Sequence, residues 1–220
     1  MHPIRRLILA NLITSSKLPF SKLKPVDVES NSFMYHLKQI INDGLVEKVN
    51  GKYGLTKNGL IMAGQLSWKT FDRRIQPRIV TMVVGQNSSG EFLLYRSWRQ
   101  PTLNLVGFPY GKLHFGEKVL EAANRELQEK TGLQGKLAHK GDVYVTICDK
   151  ADVVNQMLVH VFVGGNLRGE LTNASELGVC FWSKPDELTK TEAVPWFFDI
   201  LALLSKNKNK FFFRELAYLS

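Results

Sequence analysis

The sequence predicts an α+β chain of two domains, a helical domain over residues 1–72 and a domain with a mixed sheet between helices over residues 77–220. The length of 220 residues suits one large or two small domains. Apolar residues recur at helical spacing before Pro77 and in extended runs after it. The charge is also uneven: residues 1–76 hold 12 Lys and Arg against 5 Asp and Glu, and residues 77–220 hold 17 against 15.

The composition is that of an ordinary globular protein. The chain is 44% hydrophobic and 22% charged, so it has enough apolar surface to avoid disorder. Its longest apolar run, residues 196–204, is too short to span a membrane, and we find no signal peptide. Two cysteines, Cys148 and Cys180, are too few for a disulfide framework. We therefore expect a cytoplasmic protein.

The first domain is predicted to contain three helices, a hairpin and a further helix. Residues 4–12 and 33–45 show helical apolar spacing, and a short helix is expected at residues 20–24. Ser30 or Ser32 is expected to cap the third helix, and Gly44 to terminate it.

The hairpin is predicted by the dipeptide Asn50-Gly51, which tolerates the positive φ angles of a type I′ turn. Thr56 is expected to cap the last helix, which should run to about Trp68. Three helices followed by a hairpin resemble a winged helix-turn-helix DNA-binding domain over residues 1–70.

This resemblance implies that the third helix enters the major groove and that the hairpin contacts the DNA backbone. The excess of basic residues in this domain also favours a nucleic-acid partner. A protein–protein module or a dimerisation arm is the alternative. A homodimer is expected, since paired winged helices commonly read paired half-sites. The side chains expected at DNA are Ser32, Tyr35, His36, Lys38, Gln39, Asn42, Lys48 and Lys52.

The most specific motif in the chain begins at Gly111 and ends at Leu133. It resembles the Nudix box of the Nudix hydrolase superfamily, G-x5-E-x7-R-E-U-x-E-E-x-G-U, where U is aliphatic. Eight of the nine fixed positions match, and the exception is Lys130 in place of the last Glu. The resemblance covers residues 78–210 and implies an α/β/α sandwich with a mixed sheet. The matching residues are Gly111, Glu117, Arg125, Glu126, Leu127, Glu129, Gly132 and Leu133.

The motif predicts a loop followed by a helix from about Glu117 to Thr131, which Gly132 ends. One face of this helix should pack on the sheet through Leu120, Ala123, Leu127 and Thr131. Further strands are expected at residues 79–84, 92–95, 142–148, 153–164 and 179–182, and a helix at residues 191–205.

Glu126 and Glu129 fall together on the adjoining face, where carboxylates would bind a hard cation such as Mg²⁺. Arg125 is expected to pair with Glu117 and fix the loop against the helix. A solvated helix face with an i,i+4 pair between Glu126 and Lys130 is the alternative.

The resemblance implies Mg²⁺- or Mn²⁺-dependent hydrolysis of a nucleoside-diphosphate derivative. The metal ligands would be Glu126, Glu129 and the carbonyl of Gly111, with the two carboxylates also candidates for the base that activates water. In this family a distant acidic residue often assists. The three candidates for it are Asp149, Asp152 and Glu176.

Lys130 is the departure that bears on catalysis. Its ammonium should weaken metal binding steeply unless it swings out to solvent, and it could instead contact a pyrophosphate. Arg96 and Arg99 are further candidates for gripping phosphate, and Trp98 for stacking on a base.

Two functions stay open at this point. The first is a Nudix hydrolase, narrowly favoured because most of the box is intact. The second is a regulator in which the Nudix domain senses a nucleotide-like effector and the winged helix binds DNA. No Pro lies between Pro109 and Pro185, which weighs against the ADP-ribose-cleaving members of the family.

Overall fold

The structure is a computed structural model that describes residues 1–67, 69–172 and 174–219. The chain divides into two compact units, Met1–Ile75 and Gln76–Ser220. Among the described residues, no helix has both the length and the apolar character needed to cross a bilayer.

The first unit packs helices against a small antiparallel sheet, in the strand order β1-β3-β2. Its core comes from α1, α2, α3 and the hairpin strands, and includes Ile8, Leu12, Phe33 and Leu37. The elements are α1 (Pro3–Ile13), β1 (Leu18–Pro19), α2 (Phe20–Leu23), α3 (Ser30–Asn42), β2 (Val46–Val49), β3 (Lys52–Leu55) and α4 (Lys57–Gln65).

Several turn and cap predictions for this unit are confirmed. Asn50 and Gly51 have φ angles of 52° and 76°, as the hairpin turn requires. Gly44, with φ 70°, follows the last turn of α3. The Thr56 hydroxyl accepts a hydrogen bond from the Gly59 amide at 3.1 Å and so caps α4.

Two expectations about helix ends were wrong. The N-cap of α3 is Glu29, which makes no side-chain capping bond, so neither Ser30 nor Ser32 is the cap. Helix α4 ends at Gln65, earlier than expected, because the chain turns into a bridge between Leu66 and Arg73. The expected end at Trp68 lies outside the described residues.

Over its described residues, the second unit contains two sheets and two α-helices. One sheet is five-stranded and mixed, in the order β12-β8-β9-β4-β7, and the other is four-stranded, in the order β10-β11-β5-β6. The elements are β4 (Arg78–Gly85), β5 (Phe92–Ser97), β6 (Val106–Gly107), β7 (Tyr110–Lys112), α5 (Val119–Thr131), β8 (Gln134–Asp149), β9 (Asp152–Arg168), β10 (Ala174–Ser175), β11 (Gly178–Ser183), α6 (Phe197–Lys206) and β12 (Phe212–Leu219).

The mixed character of the five-stranded sheet confirms the predicted sheet type. Strand β4 is parallel to β9 and antiparallel to β7, while β8 is antiparallel to β9 and parallel to β12. Helix α5 packs on this sheet through buried Ala123 and Leu127, which meet Val83 and Phe162. Strand Tyr110–Lys112 thus brings the start of the motif beside the helix that carries the rest of it.

The structure differs from the expectations at three places. Leu120 is 49% exposed and does not belong to the buried face of α5, where Ala122 is buried instead. Helix α6 starts at Phe197 and not at residue 191, because the residue before Pro195 is disfavoured in helical geometry. Strand β12 was not predicted, because most of its side chains are exposed. It therefore lacks the regular alternation of apolar and polar residues that identifies a half-buried strand.

Candidate functional site

The candidate site is a cavity of about 530 Å³ beside α5 and β7. A larger groove of about 700 Å³ lies along α5 and the start of β8, but none of the described residues that line it carries a carboxylate. The smaller cavity holds the acidic residues of the motif, so we assign the site there. Its lining is formed by Tyr95, Ser97, Arg99, Tyr110, Gly111, Lys112, His114, Arg125, Glu126, Glu129, Lys130, Ser175, Glu176 and Leu177.

The Glu126 carboxylate lies directly against the backbone of Gly111. A Cβ atom at Gly111 would lie 1.7 Å from Cδ of Glu126, so any side chain there would displace the carboxylate. Among the residues that the structure describes, Glu126 is the one charged residue that is buried, with 8% of its surface exposed. Gly111 therefore serves to bring β7 close to α5 and to admit this carboxylate.

Arg125 ties three carboxylates of the motif together. We call Glu117, Glu126 and Glu129 the carboxylate cluster. Nε of Arg125 is 2.7 Å from Oε1 of Glu117, and Nη2 is 2.9 Å from Oε2 of the same residue. Nη1 donates to Oε1 of Glu126 at 2.8 Å and to Oε2 of Glu129 at 3.2 Å. The Lys112 carbonyl also accepts from Nη2, at 3.1 Å, which links α5 to the end of β7.

The bidentate pair between Arg125 and Glu117 fixes the charge of both groups. Hydrogen bonds from the Arg125 guanidinium and the His114 amide lower the pKa of Glu117 to about 2. The bond to Glu117 also raises the pKa of Arg125 further above its already high value. The structure therefore brings together the predicted pair that holds the loop before α5.

Lys130 is turned into the site and not out to solvent. Its Nζ donates to the Tyr110 carbonyl and is 3.6 Å from Oε2 of Glu126. The rings of Tyr95 and Tyr110 cover it, with centroids at 5.0 and 5.3 Å. Only 20% of the side chain is exposed. Burial lowers the pKa of this ammonium, and the Glu126 carboxylate opposes that shift.

The donor set does not fit a divalent cation while Lys130 keeps this position. The ammonium already donates a hydrogen bond to the Tyr110 carbonyl and lies beside Oε2 of Glu126. Arg125 donates a hydrogen bond to the other carboxylate oxygen of Glu126, Oε1. A divalent ion about 4 Å from an ammonium is repelled by about 8 kcal/mol at an effective dielectric of about 20. The carbonyl that contacts the cationic group is that of Tyr110, one residue before the predicted Gly111.

Of the other predicted site residues, some line the cavity and others do not. Arg99 lines it, whereas Arg96 and Trp98 do not; Arg96 donates to the Asn104 carbonyl. Glu129 lines it with 60% of its side chain exposed.

Among the three distant acidic candidates, Glu176 lines the cavity. Asp149 and Asp152 pair with each other across the tip of the β8–β9 hairpin, outside that lining. Sequence reasoning missed Tyr95 and Tyr110, because an aromatic at a strand position usually signals packing and not a ligand cavity.

The predicted DNA-facing residues lie on α3 and the hairpin of the first unit. Tyr35, Lys38, Asn42, Lys48 and Lys52 are exposed, and Ser32 and Gln39 are half-buried. His36 is different, because its ring stacks on His2 with centroids 3.8 Å apart. Burial together with the charges of His2 and Arg5 lowers the pKa of His36, which favours its neutral form.

Comparisons with known proteins bear on the second unit. A family model described as the NUDIX domain matches residues 76–204. No curated protein matches the chain at a significant level.

Solved structures supply further likenesses. The mutator MutT protein of Bacillus halodurans is 24% identical over 64% of this chain and 90% of that one, with a TM-score of 0.52. The MutT NUDIX hydrolase of Burkholderia pseudomallei is 22% identical over 59% and 99%, with a TM-score of 0.50. The NUDIX domain of Shewanella oneidensis NrtR, solved in complex with ADP-ribose, is 13% identical over 70% and 100%, with a TM-score of 0.50. At these identities the likeness is one of fold.

The family model covers more than half of the chain and contains the whole motif from Gly111 to Leu133. The helix, the preceding glycine loop and the carboxylate cluster all occur in the arrangement that the motif predicts. The chain therefore belongs to the NUDIX family.

Proposed function

We propose that this protein binds a nucleoside-diphosphate derivative in the cavity beside Lys130 and hydrolyses it slowly or not at all. The binding event would regulate the first unit, which we propose to be a winged-helix DNA-binding domain. Of the two functions left open by the sequence, this assignment favours the sensor over the hydrolase. The observation that carries it is the inward position of the Lys130 ammonium.

The charge balance of the site supports binding without a metal. Two cations, Arg125 and Lys130, contact the three carboxylates, which leaves a formal charge of −1. With Glu at position 130 the same five side chains would carry −3 and would need a divalent ion to hold an anionic ligand. An ammonium at this place offers donors to a pyrophosphate oxygen without help from a metal.

Further groups at the cavity suit a phosphorylated ligand. Arg99 and Lys112 line it together with Lys130, and each offers positive charge. Tyr95 and Tyr110 add aromatic surface on which a base or ribose could pack. The complex of the NrtR NUDIX domain with ADP-ribose makes ADP-ribose a suitable first ligand to test.

The test measures binding and turnover on the same samples. Calorimetry in EDTA would examine ADP-ribose, NADH, dinucleoside polyphosphates, nucleotide sugars and nucleoside triphosphates, and chromatography with Mg²⁺ would follow their hydrolysis. We expect at least one ligand to bind in EDTA, and Lys130→Met to weaken it by at least about tenfold, which corresponds to one hydrogen bond to a charged group. Lys118→Met, whose side chain is 83% exposed, should leave binding unchanged. Binding that requires Mg²⁺, with rapid turnover, would overturn the proposal.

Hydrolysis is the second candidate, and the exposure of Glu129 favours it. This carboxylate contacts Arg125 at 3.2 Å, lines the cavity and has 60% of its side chain exposed. A ligand that draws Lys130 towards its phosphates would free Glu126 for a cation. In that case Glu129→Gln should abolish Mg²⁺-dependent turnover, and unchanged turnover would locate the chemistry elsewhere.

DNA binding by the first unit is supported by the exposed basic residues of the hairpin, Lys48 and Lys52. Affinity for DNA should fall steeply with salt, because phosphate contacts release counterions. The double variant Lys48→Glu/Lys52→Glu should bind more weakly and should show a smaller salt slope. Salt-independent or absent binding to a broad sequence pool would remove this part of the proposal.

A further inference from the structure

Three side chains of types that can bind a metal meet on the five-stranded sheet, outside the cavity described above. Nε2 of His139 is 2.8 Å from Oδ1 of Asp142, and Nδ1 of His160 is 2.7 Å from the same oxygen. One ligand atom from each residue lies within 4.8 Å of the other two. We call these three residues the histidine site.

A bulge in β8 produces this arrangement. Residues three apart on a regular strand face opposite sides of a sheet, so His139 and Asp142 would not meet. The register shift between His139 and Gly141 inserts one residue and returns both side chains to one face. His160 then stands directly opposite Asp142 on β9. Bulges that re-aim side chains in this way are common next to functional sites.

The bulge is held in place by packing on the other face of the sheet. A Cβ at Gly141 would lie 2.5 Å from the ring of Phe212, so any side chain there would displace this buried ring. The ring of His139 stacks on Phe162 with centroids 4.7 Å apart, and Phe211 meets it edge-on at 5.2 Å. The imidazole is therefore oriented by its neighbours.

We propose that the histidine site binds a divalent first-row transition-metal ion, with Zn²⁺ as its representative. The ligands are Nε2 of His139, a carboxylate oxygen of Asp142 and Nδ1 of His160. Two imidazoles and one carboxylate suit Zn²⁺ and its neighbours, whereas Mg²⁺ and Ca²⁺ prefer all-oxygen sites. The site is distinct from the carboxylate cluster of the motif and does not depend on the function proposed above.

The present distances need only a small adjustment to accept the ion. Ligand atoms about 2.1 Å from a tetrahedral metal are about 3.4 Å apart, so each N–O separation must open by less than about 1 Å. The side chain of His139 is 35% exposed, which gives an ion access to the ring from solvent. Three protein ligands leave a fourth position for water or a small ligand.

The histidine site is separate from the carboxylate cluster in space. Asp142, His160, Thr81 and Gly111 are register neighbours on β8, β9, β4 and β7. Strands are about 4.8 Å apart, so His160 is about 10 Å from Gly111 across the sheet. Buried Thr81 lies between them. Metal binding at one place can therefore be distinguished from binding at the other by substitution.

The test is Zn²⁺ binding by the full chain after removal of bound metals, measured by competition with a chromophoric chelator. We expect one Zn²⁺ per chain, and a loss of at least about tenfold in affinity in His139→Gln and in His160→Gln, since even outer-shell changes cost that much. His114→Gln, a histidine of the same unit that is 67% exposed, is the matched control and should bind normally. Glu129→Gln should also bind normally.

A second, spectroscopic measurement distinguishes the loss of metal binding from the loss of folding. Co²⁺ in the wild-type chain should give the visible absorption of a low-symmetry site, and Asp142→Asn should lose it while circular dichroism stays unchanged. The proposal is overturned if the wild-type chain takes up no stoichiometric Zn²⁺. It is equally overturned if Glu129→Gln, and not the histidine variants, abolishes uptake. If the wild-type chain takes up no stoichiometric Zn²⁺, the three residues form only a hydrogen-bonded triad.

Discussion

Restoring the missing acid of the motif is the perturbation that tests the role of Lys130 most directly. In the variant Lys130→Glu an ammonium that contacts Glu126 and the Tyr110 carbonyl is replaced by a carboxylate. The formal charge of the five side chains changes from −1 to −3. The carbonyl is also freed, so a cation would find an oxygen donor where the lysine now donates a hydrogen bond.

The size of the effect follows from the geometry. The repulsion removed is about 8 kcal/mol for a divalent ion about 4 Å from the ammonium. Rearrangement of Lys130 in the wild-type chain would reduce this figure, because its side chain is 20% exposed and retains a route to solvent. If about a third of the repulsion remains in the wild-type chain after this rearrangement, Lys130→Glu should still raise the affinity for Mn²⁺ by about 100-fold, because about 1.4 kcal/mol corresponds to a factor of ten.

The assay is Mn²⁺ titration by calorimetry, followed by chromatographic turnover of ADP-ribose, NADH and nucleoside triphosphates. The matched control is Lys118→Glu, which makes the same charge change at the exposed N-cap of α5. Turnover in Lys130→Glu with none in the wild-type chain would indicate a site that no longer hydrolyses. If Lys130→Glu binds Mn²⁺ no more tightly than Lys118→Glu does, the argument from the ammonium is refuted.

Three other substitutions test the supporting structure. The pKa of Glu117 is lowered, so its pairing with Arg125 contributes stability above pH 4.5 that is lost as pH falls towards 2. Melting curves of Glu117→Gln should therefore differ most from wild type at neutral pH and converge in acid; a constant difference would contradict this. Gly111→Ala should displace the Glu126 carboxylate and cost about 1–3 kcal/mol in denaturant unfolding, and an unchanged midpoint would count against the close approach. Thr56→Ala removes the cap of α4 and should cost about 1 kcal/mol in urea unfolding, whereas Thr70→Ala should cost less.

Many features of the fold could be predicted because their signals are local. The Asn50-Gly51 turn, the Thr56 cap and the left-handed Gly132 after α5 depend on residues within one turn of each other. Strand β12 could not be predicted, because only its pairing with β8 distinguishes it from an irregular terminus. The early start expected for α6 failed for a local reason, the proline at position 195.

The sequence by itself determined the family motif, the helix that carries Glu126 and Glu129, and the presence of a lysine where an acid is expected. Only the tertiary structure decided that this lysine points inward, because Tyr95 and Tyr110 cover it from strands outside α5. The histidine site likewise depends on the bulge in β8, which no local pattern marks. Side-chain spacing follows from backbone geometry within one element, whereas burial and convergence depend on contacts between residues far apart in sequence.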